Sequence, residues 1–357
     1  MDENGDRAAG KLPIITPRSP VRHREAWREA LADAITDPAE LLSRLELDPD
    51  LLPAARRAAR LFGLRVPRCF ADLMERGNPA DPLLRQVLPL AAEARDTPGF
   101  GPDPVGDLAA GRGPGILQKY HGRALLLATG ACAVNCRYCF RRSFPYADMA
   151  LTPARLRAAT ERLQAFRELD EVILSGGDPL ALPTARLADI SRSLAGLPAV
   201  RRLRIHTRTP VVLPRRVDRH LLDWLANLPW KRVVVLHVNH PREISPAFIR
   251  AAAELAGTGT TLLNQSVLLA GVNDDAGVLE ALSRDLFDAG ILPYYLHMLD
   301  PVAGAAHFQV PEDSARRLYE SLRRRLPGYL VPELVREEAG APYKVPIVSP
   351  FAPENGC

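Results

Sequence analysis

The segment RALLLATGACAVNCRYCF, residues 123–140, decides how this 357-residue chain is interpreted. Its first half is a short apolar run, as expected for a β-strand that is buried on both faces of a sheet. Its second half contains Cys132, Cys136 and Cys139 in the spacing CxxxCxxC. The three thiols therefore follow the carboxyl end of a strand, which is where α/β proteins carry their functional sites.

Five similar β-rich runs follow, and helical patterns separate them. We predict strands at 123–129, 171–175, 201–206, 232–238, 261–269 and 292–298. The helices are predicted at 153–169, 184–195, 218–227, 246–256, 276–289 and 312–325. Alternating strands and helices indicate a parallel sheet, and six βα units are too few for a closed eightfold barrel. The sequence therefore predicts an α/β fold built as a partial, TIM-like (βα)6 barrel.

Residues 1–115 are interpreted as an N-terminal helical extension. Apolar and charged positions alternate at helical spacing in two stretches before residue 62, and Asp-Pro pairs interrupt them. The stretch 96–115 is rich in Gly and Pro, which indicates a linker or a cover over a site. We expect the barrel to span 116–330 and a C-terminal segment to span 331–357.

Composition limits the class of protein. Hydrophobic residues make up 47% of the chain and charged residues 25%, as in ordinary globular proteins. Neither a membrane-spanning apolar run nor a secretory signal is evident, so we expect a cytoplasmic location. The net charge of +4 comes largely from arginines in helical stretches. Because aromatic residues do not interleave with them, a solvated surface is favoured over nucleic-acid binding.

The three clustered cysteines indicate a metal site. The other two, Cys69 and Cys357, stand alone, so the chain has no disulfide framework. Structural zinc sites usually have four ligands, and electron-transfer [4Fe-4S] clusters usually have four cysteines. Three thiolates leave one iron of a cubane open, as radical S-adenosylmethionine (SAM) chemistry requires. The alternatives are a zinc site completed by a histidine such as His121, or three incidental thiols.

Two further motifs suit cofactor binding. SGGDP, residues 175–179, follows the second predicted strand, and its glycines allow the backbone to approach the methionyl amine of SAM, with Asp178 as a polar partner. An ordinary β-to-α turn is the alternative. Near the C-terminus, GAPYKVP places Lys344 among turn-forming residues, where a lysine is suited to a Schiff base. The alternative is a surface lysine.

Taken together, the motifs resemble the lysine 2,3-aminomutase family of radical SAM enzymes. The resemblance is carried by KYHGRALLLATGACAVNCRYCFRR, SGGDPL, RIHTRTPVVLPRR, HVNHPREI, NQSVLLAGVND and PYYLHMLD. Within that family, LHMLDPVAGAAHF and GYLVPELVREEAGAPYK resemble the branch that makes β-lysine for the modification of elongation factor P (EF-P). The resemblance implies a [4Fe-4S] cluster, SAM and pyridoxal 5'-phosphate (PLP) as cofactors.

The resemblance also implies roles for individual residues. The cluster would be held by Cys132, Cys136 and Cys139. SAM would be bound by Gly176, Gly177, Asp178, His237 and Gln265. PLP would be held by Lys344 through a Schiff base and by Lys119, Tyr120, Arg123 and Arg204 around its phosphate. The substrate would be bound by Arg141 at its carboxylate and by Asp300 and Glu337 at its remote ammonium. Taken singly, each substrate or SAM residue has a simpler reading, such as a solvent-exposed arginine, a core histidine or a turn cap.

The sequence departs from the clostridial members of the family. A position that can hold a zinc-binding cysteine is Asp275 here, and the chain ends 13 residues after Lys344, so we expect no zinc. Glu337 stands where aspartate is familiar, and Lys119 stands where arginine is familiar; lysine can still bind phosphate as a point charge. These differences leave open the preference for free lysine and the oligomeric state.

The activity implied is the conversion of L-α-lysine to β-lysine. The product would pass to a ligase that modifies EF-P, and flavodoxin or ferredoxin would supply electrons; neither nucleic acid nor membrane is expected as a partner. A free-standing aminomutase that makes β-lysine or another β-amino acid is the alternative, although Asp300 would repel the side chain of glutamate. An iron–sulfur carrier or sensor without turnover is a further alternative, which Lys344 disfavours because a carrier does not need PLP.

Overall fold

The structure is a computed structural model, and it describes residues 26–146 and 151–347. Nine strands form one sheet in chain order. They are β1 Ile116–Leu117, β2 Arg123–Thr129, β3 Glu171–Gly176, β4 Arg202–Thr207, β5 Lys231–Leu236, β6 Thr261–Val267, β7 Leu292–His297, β8 Glu333–Arg336 and β9 Val345–Pro346. Strands β2 to β8 are parallel, while β1 and β9 pair antiparallel at the two edges. Because β1 and β9 do not pair with each other in the described sheet, the barrel is open.

Twelve α-helices lie within the two described ranges. They are Ala26–Ala32, Pro38–Arg44, Leu52–Leu61, Arg68–Ala71, Pro82–Arg85, Pro153–Gln164, Thr184–Leu194, Thr209–Val212, Arg219–Ala226, Pro246–Gly257, Ala276–Asp288 and Glu312–Arg325. Most barrel helices begin at a side-chain cap. Asp275, for example, accepts hydrogen bonds from the backbone N–H groups of Gly277 and Val278, so here this residue starts a helix. None of the described helices is long and apolar enough to cross a membrane.

The predicted α/β class and open (βα)6 barrel are confirmed, and a seventh parallel strand follows the six predicted units. All six predicted strands are present, and β8 adds a seventh after the helix Glu312–Arg325. It has only four residues and directly follows Pro332, so its apolar pattern is too short to be recognised in the sequence. Leu334 and Val335 of this strand are nevertheless buried.

The core runs across the sheet in register. Leu126, Leu174, Ile205, Val234 and Leu262 are register partners on five successive strands, and all are buried. Such continuous burial is expected for parallel strands that are covered on both faces. This register fixes where each strand ends relative to its neighbours. It therefore also fixes the positions of the loops that follow the strands.

The N-terminal extension packs onto this core. Trp27, Phe70 and Leu83 are buried in the same hydrophobic cluster as the barrel residues. The stretch 96–115, predicted to be a linker or a cover, also contacts the barrel, because Gly101 forms a parallel bridge with Val302. Both parts of the extension are therefore positioned to shape a site at the ends of the strands.

Candidate active site

A cavity of about 310 Å³ lies inside the barrel and opens among the loops that follow the strands. It is lined by all the residues to which the sequence assigned a role: Lys119, Tyr120, Arg123, Cys132, Cys136, Cys139, Arg141, Gly176, Gly177, Asp178, Arg204, His237, Gln265, Asp300, Glu337 and Lys344. Residues that are more than two hundred positions apart in the chain thus meet in one space. What each of them binds stays a prediction.

The three thiols lie half-buried in the loop after β2. Burial, reinforced by the neighbouring Cys136, raises the pKa of Cys139 to about 11. Burial also raises the pKa of Cys132 well above its ordinary value, with Cys139 adding to the effect. Thiols in such surroundings ionise readily only when a metal compensates their charge.

His121 is not positioned to complete a zinc site. It precedes β2, whereas the cysteines follow it, so the length of the strand separates them by roughly 20 Å. Its imidazole is mostly exposed and lies 3.3 Å from the carboxylate of Glu168. The zinc alternative that relied on this histidine is therefore contradicted.

The cysteine loop is fastened by the N-terminal extension, which the sequence did not indicate. The carboxylate of Glu93 accepts hydrogen bonds from Nε of Arg137 at 2.8 Å and from Nη2 of Arg142 at 2.8 Å. Arg137 and Glu93 have no exposed side-chain surface. Arg137 also donates to the carbonyl of Phe62 at 2.8 Å. A buried charge pair thus ties the loop to the extension.

The SGGDP segment packs directly against the cysteine loop. A side chain at Gly176 would lie 2.4 Å from the carbonyl oxygen of Thr129, and one at Gly177 would lie 2.5 Å from that of Ala131. The glycines are therefore required for this backbone contact, in addition to any approach of SAM. The carboxylate of Asp178 accepts four hydrogen bonds from the protein, so its charge serves to order the neighbouring loop.

Asp107, which no sequence motif indicated, is a buried carboxylate between two of the predicted ligand-binding cations. Its Oδ2 accepts from Nε of Arg141 at 2.6 Å, and its Oδ1 lies 2.7 Å from Nζ of Lys119. Burial alone would raise the pKa of Asp107, but the charges of Arg141 and Lys119 outweigh it and lower the pKa. Arg141 also donates from Nη1 to Ser175 at 3.1 Å, while its Nη2 makes no hydrogen bond with a described residue. One edge of the guanidinium is thus fixed and Nη2 is left for a ligand.

Glu337 joins two lysines. Its Oε1 lies 3.1 Å from Nζ of Lys119, and its Oε2 lies 2.5 Å from Nζ of Lys344. Burial acts to raise the pKa of Glu337, but Lys344 and Lys119 outweigh it and lower the pKa to about 2. The carboxylate is therefore charged at neutral pH, and without a ligand it is already paired.

The two predicted phosphate-binding arginines differ in availability. Arg204 makes a two-pronged ion pair with Glu171 on the neighbouring strand. Arg123 forms no ion pair with any described residue and lies 5.3 Å from the ring centroid of Tyr120. A free guanidinium beside a tyrosine is suited to binding an anion such as phosphate.

Asp300 and several histidines complete the lining. Burial, with the nearby charge of Glu337, raises the pKa of Asp300 to about 7. Burial and Arg208 lower the pKa of His237 to about 3, so its imidazole is neutral. The Nε2 atoms of His206 and His297 are buried too, and they find no hydrogen-bond partner among the described residues. Such unpaired buried atoms indicate a cavity that is shaped for a polar ligand.

Comparison with known proteins agrees with this geometry. The radical SAM superfamily model matches residues 126–275, which include the cysteine loop and four of the parallel strands that follow it. The chain is 50% identical over 335 residues to the L-lysine 2,3-aminomutase of Escherichia coli (strain K12), covering 94% of this chain and 97% of that protein. The chain belongs to the L-lysine 2,3-aminomutase family.

Other relatives are similar over almost the same length. The L-lysine 2,3-aminomutase of Haemophilus influenzae is 46% identical, with 92% of this chain and 98% of that protein covered. That of Clostridium subterminale is 32% identical, with 90% and 77% covered. Among solved structures, a radical SAM methyltransferase from Sphaerobacter thermophilus has a TM-score of 0.45 at 22% identity, covering 62% of this chain and 68% of that one.

As a member of this family, the chain is a radical SAM enzyme of the isomerase class, and membership implies a [4Fe-4S] cluster and SAM. The residues fit a cluster, because three half-buried thiols share one loop and line the cavity. In the described ranges, no three His, Cys, Asp or Glu side chains are gathered closely enough to hold a single metal ion. A cubane needs no such convergence, since each cysteine binds a different iron.

Proposed function

We propose that the enzyme converts L-α-lysine to β-lysine and that it uses PLP in addition to the cluster and SAM. The observation that carries the proposal is Asp300. Its carboxylate lines the same cavity as Arg141 and Lys344 and has no hydrogen-bond partner among the described side chains. A substrate with a carboxylate, an α-amine and a remote ammonium needs one cation, one reactive lysine and one carboxylate. The names of the relatives support the same substrate.

The residues present fit PLP. Lys344 would hold its carbonyl carbon, and Arg123, Lys119 and Tyr120 would hold its phosphate. When bound, PLP supplies the group that carries the migrating nitrogen, and the cluster with SAM supplies the radical that starts the reaction. The unpaired Nε2 atoms of His206 and His297 offer neutral hydrogen-bonding groups in the same cavity.

The protein's own task is to position the substrate and to exclude water. Arg141, whose Nε is fixed by Asp107, presents Nη2 to the substrate carboxylate. Asp300 accepts the remote ammonium. Glu337 would join it if Lys344 held PLP, because the carboxylate oxygen that Lys344 now contacts would then be free. His206, His237 and His297 have lowered pKa values, so they are neutral and add no charge to the cavity.

We also propose that the β-lysine is used to modify EF-P, with a ligase as the next enzyme and a cytoplasmic location for both. The support is the resemblance of LHMLDPVAGAAHF and GYLVPELVREEAGAPYK to the EF-P branch of the family. A small low-potential electron carrier such as flavodoxin or ferredoxin would reduce the cluster. Mass spectrometry of EF-P from cells with and without this gene would show whether the modification depends on it.

The activity is tested with anaerobically reconstituted protein, reductant, SAM, PLP and a panel of amino acids, with β-amino products separated by chromatography. We expect β-lysine from lysine alone. Isomerisation of another amino acid while lysine stays unchanged would overturn the substrate assignment.

Two variants separate the parts of the proposal. Cys136→Ala should abolish both SAM cleavage and isomerisation. Lys344→Arg should abolish isomerisation while the cluster and reductive SAM cleavage persist. β-Lysine formation by Lys344→Arg would contradict the role of PLP.

A further inference from the structure

Arg208 follows β4, and its guanidinium lies against the cysteine loop. Its Nη1 is 2.8 Å from Sγ of Cys136 and 2.7 Å from the hydroxyl oxygen of Tyr138. Only 6% of the side chain is exposed. A cationic N–H donor is thus directed at a cluster thiol in a place that is shielded from water.

The guanidinium is held from its other side. Nη2 of Arg208 donates to Oε2 of Glu243 at 2.8 Å and to Oε1 of Gln86 at 2.6 Å. The second carboxylate oxygen of Glu243 is itself fixed by the backbone N–H of Asn239 at 3.0 Å. Because the guanidinium is a rigid planar fork, these contacts also fix the direction of Nη1 toward Cys136. Gln86 belongs to the N-terminal extension, so the extension helps to orient Arg208.

Asp178 of the SGGDP motif fixes the backbone at Arg208. Oδ2 of Asp178 accepts from the N–H groups of Arg208 at 2.8 Å and Thr209 at 2.9 Å, and Oδ1 accepts from the hydroxyl of Thr207 at 2.7 Å. Both the backbone and the side chain of Arg208 are therefore immobilised beside the sulfur of Cys136.

We propose that Arg208 is a positioning residue that sets the reduction potential of the cluster through its N–H···S contact with Cys136. Reduction adds one electron from an external one-electron donor, and no proton moves because arginine stays protonated. The added negative charge is shared by the cluster sulfurs. A fixed cationic donor therefore stabilises the reduced cluster more than the oxidised one and raises its potential.

A purely structural role for Arg208 makes a different prediction. If the residue only neutralises the buried carboxylate of Glu243, replacing it changes the stability of the protein but not the potential of a cluster that still assembles. The reduction potential of the cluster therefore distinguishes a tuning role of Arg208 from a purely structural one. The inference needs the cluster but neither lysine nor PLP, so it does not depend on the proposed substrate.

The test compares midpoint potentials of reconstituted, SAM-free protein in titrations followed by electron paramagnetic resonance, with iron and sulfide contents measured in parallel. In Arg208→Met we expect the equilibrium constant for reduction to fall about tenfold, a shift of about 59 mV to more negative potential. Arg208→Lys keeps the charge but loses the rigid fork, so it should shift less in the same direction. Glu243→Gln removes the counter-charge and should shift the potential in the positive direction.

Arg232→Met is the matched control. Arg232 lies at the start of β5, at the end of the strand remote from the cysteine loop, and donates to the carbonyls of Leu228 and Thr258. Its loss should leave the potential unchanged. If Arg208→Lys and Glu243→Gln load a cluster with the wild-type potential, the proposal is overturned. Loss of the cluster in all three variants would assign Arg208 to assembly alone and would overturn it as well. If the potentials of the variants shift in the expected directions, the proposal for Arg208 is supported even if the protein does not isomerise lysine.

Discussion

Nζ of Lys344 lies 2.5 Å from Oε2 of Glu337, and Lys119 occupies the other oxygen of the same carboxylate. Two lysines are therefore close enough to one another that either could meet the carbonyl of PLP. We propose that Lys344 forms the covalent bond and that Lys119 contacts the phosphate.

Lys344→Arg should lose the covalent attachment of PLP completely, because arginine keeps the positive charge beside Glu337 but cannot form a Schiff base. The attachment is measured by borohydride reduction followed by peptide mass spectrometry. Lys119→Arg is the matched control and should keep the pyridoxyl label on Lys344. Recovery of the label on Lys119 in the wild-type protein would show that the two roles are exchanged.

Asp300 should give the reaction a pH dependence. Burial and the neighbouring Glu337 raise its pKa to about 7, so the carboxyl is neutral below that pH and attracts the substrate ammonium only above it. We expect kcat/KM for lysine to fall as pH decreases through about 7. Asp300→Asn should lower kcat/KM at pH 8 by about ten- to a hundredfold and abolish this acid limb, since a hydrogen bond to a charged group contributes about 1.5–3 kcal/mol.

Asp313→Asn, which changes an exposed carboxylate at a helix start, serves as the control for Asp300 and should leave the profile unchanged. An acid limb that persists in Asp300→Asn would mean that another group titrates.

Arg141→Lys should weaken recognition of the substrate carboxylate. The planar guanidinium of Arg141 can contact Asp107 and a ligand at the same time, whereas the single ammonium of lysine cannot reproduce this geometry. We expect KM for lysine to rise about ten- to a hundredfold, by the same hydrogen-bond energy. Inhibition by 1,5-diaminopentane, which lacks the carboxylate, should change little. An equal loss for both molecules would indicate that Arg141 shapes the cavity without contacting the carboxylate.

Glu93→Gln should destabilise the protein and its cysteine loop together. It leaves the buried Arg137 without its counter-charge, which costs about 3–5 kcal/mol in the free energy of unfolding. Denaturant unfolding and iron content after reconstitution measure the two effects. Glu46→Gln alters an ion pair with Arg76 in which both side chains are about two-thirds exposed, and it should leave both quantities unchanged. Normal stability of Glu93→Gln would show that hydrogen bonding alone fastens the loop.

Local patterns were sufficient to predict the barrel. The six long strands and the helices between them have clear apolar periodicity, and their ends agree with the structure to within a few residues. The four-residue strand β8 lacked such a pattern. The cysteine spacing and the family motifs indicated which side chains would gather in the cavity.

The supporting residues could not be predicted in this way. Asp107 lies in a Gly- and Pro-rich stretch without periodicity, and its partners Lys119 and Arg141 lie 12 and 34 positions further along the chain. Glu93 and Arg137 likewise pair across 44 positions. Their roles depend on long-range packing, which no local spacing encodes.

The pair between Lys119 and Glu337 has a mechanical consequence. Lys119 follows the first edge strand and Glu337 precedes the last one, so the pair spans the gap where the backbone ladder stops. The barrel wall thus has a seam that is fastened by side chains. Separating Lys119 from Glu337 would break an ion pair but no backbone hydrogen bond of the sheet, so the seven parallel strands would keep their register.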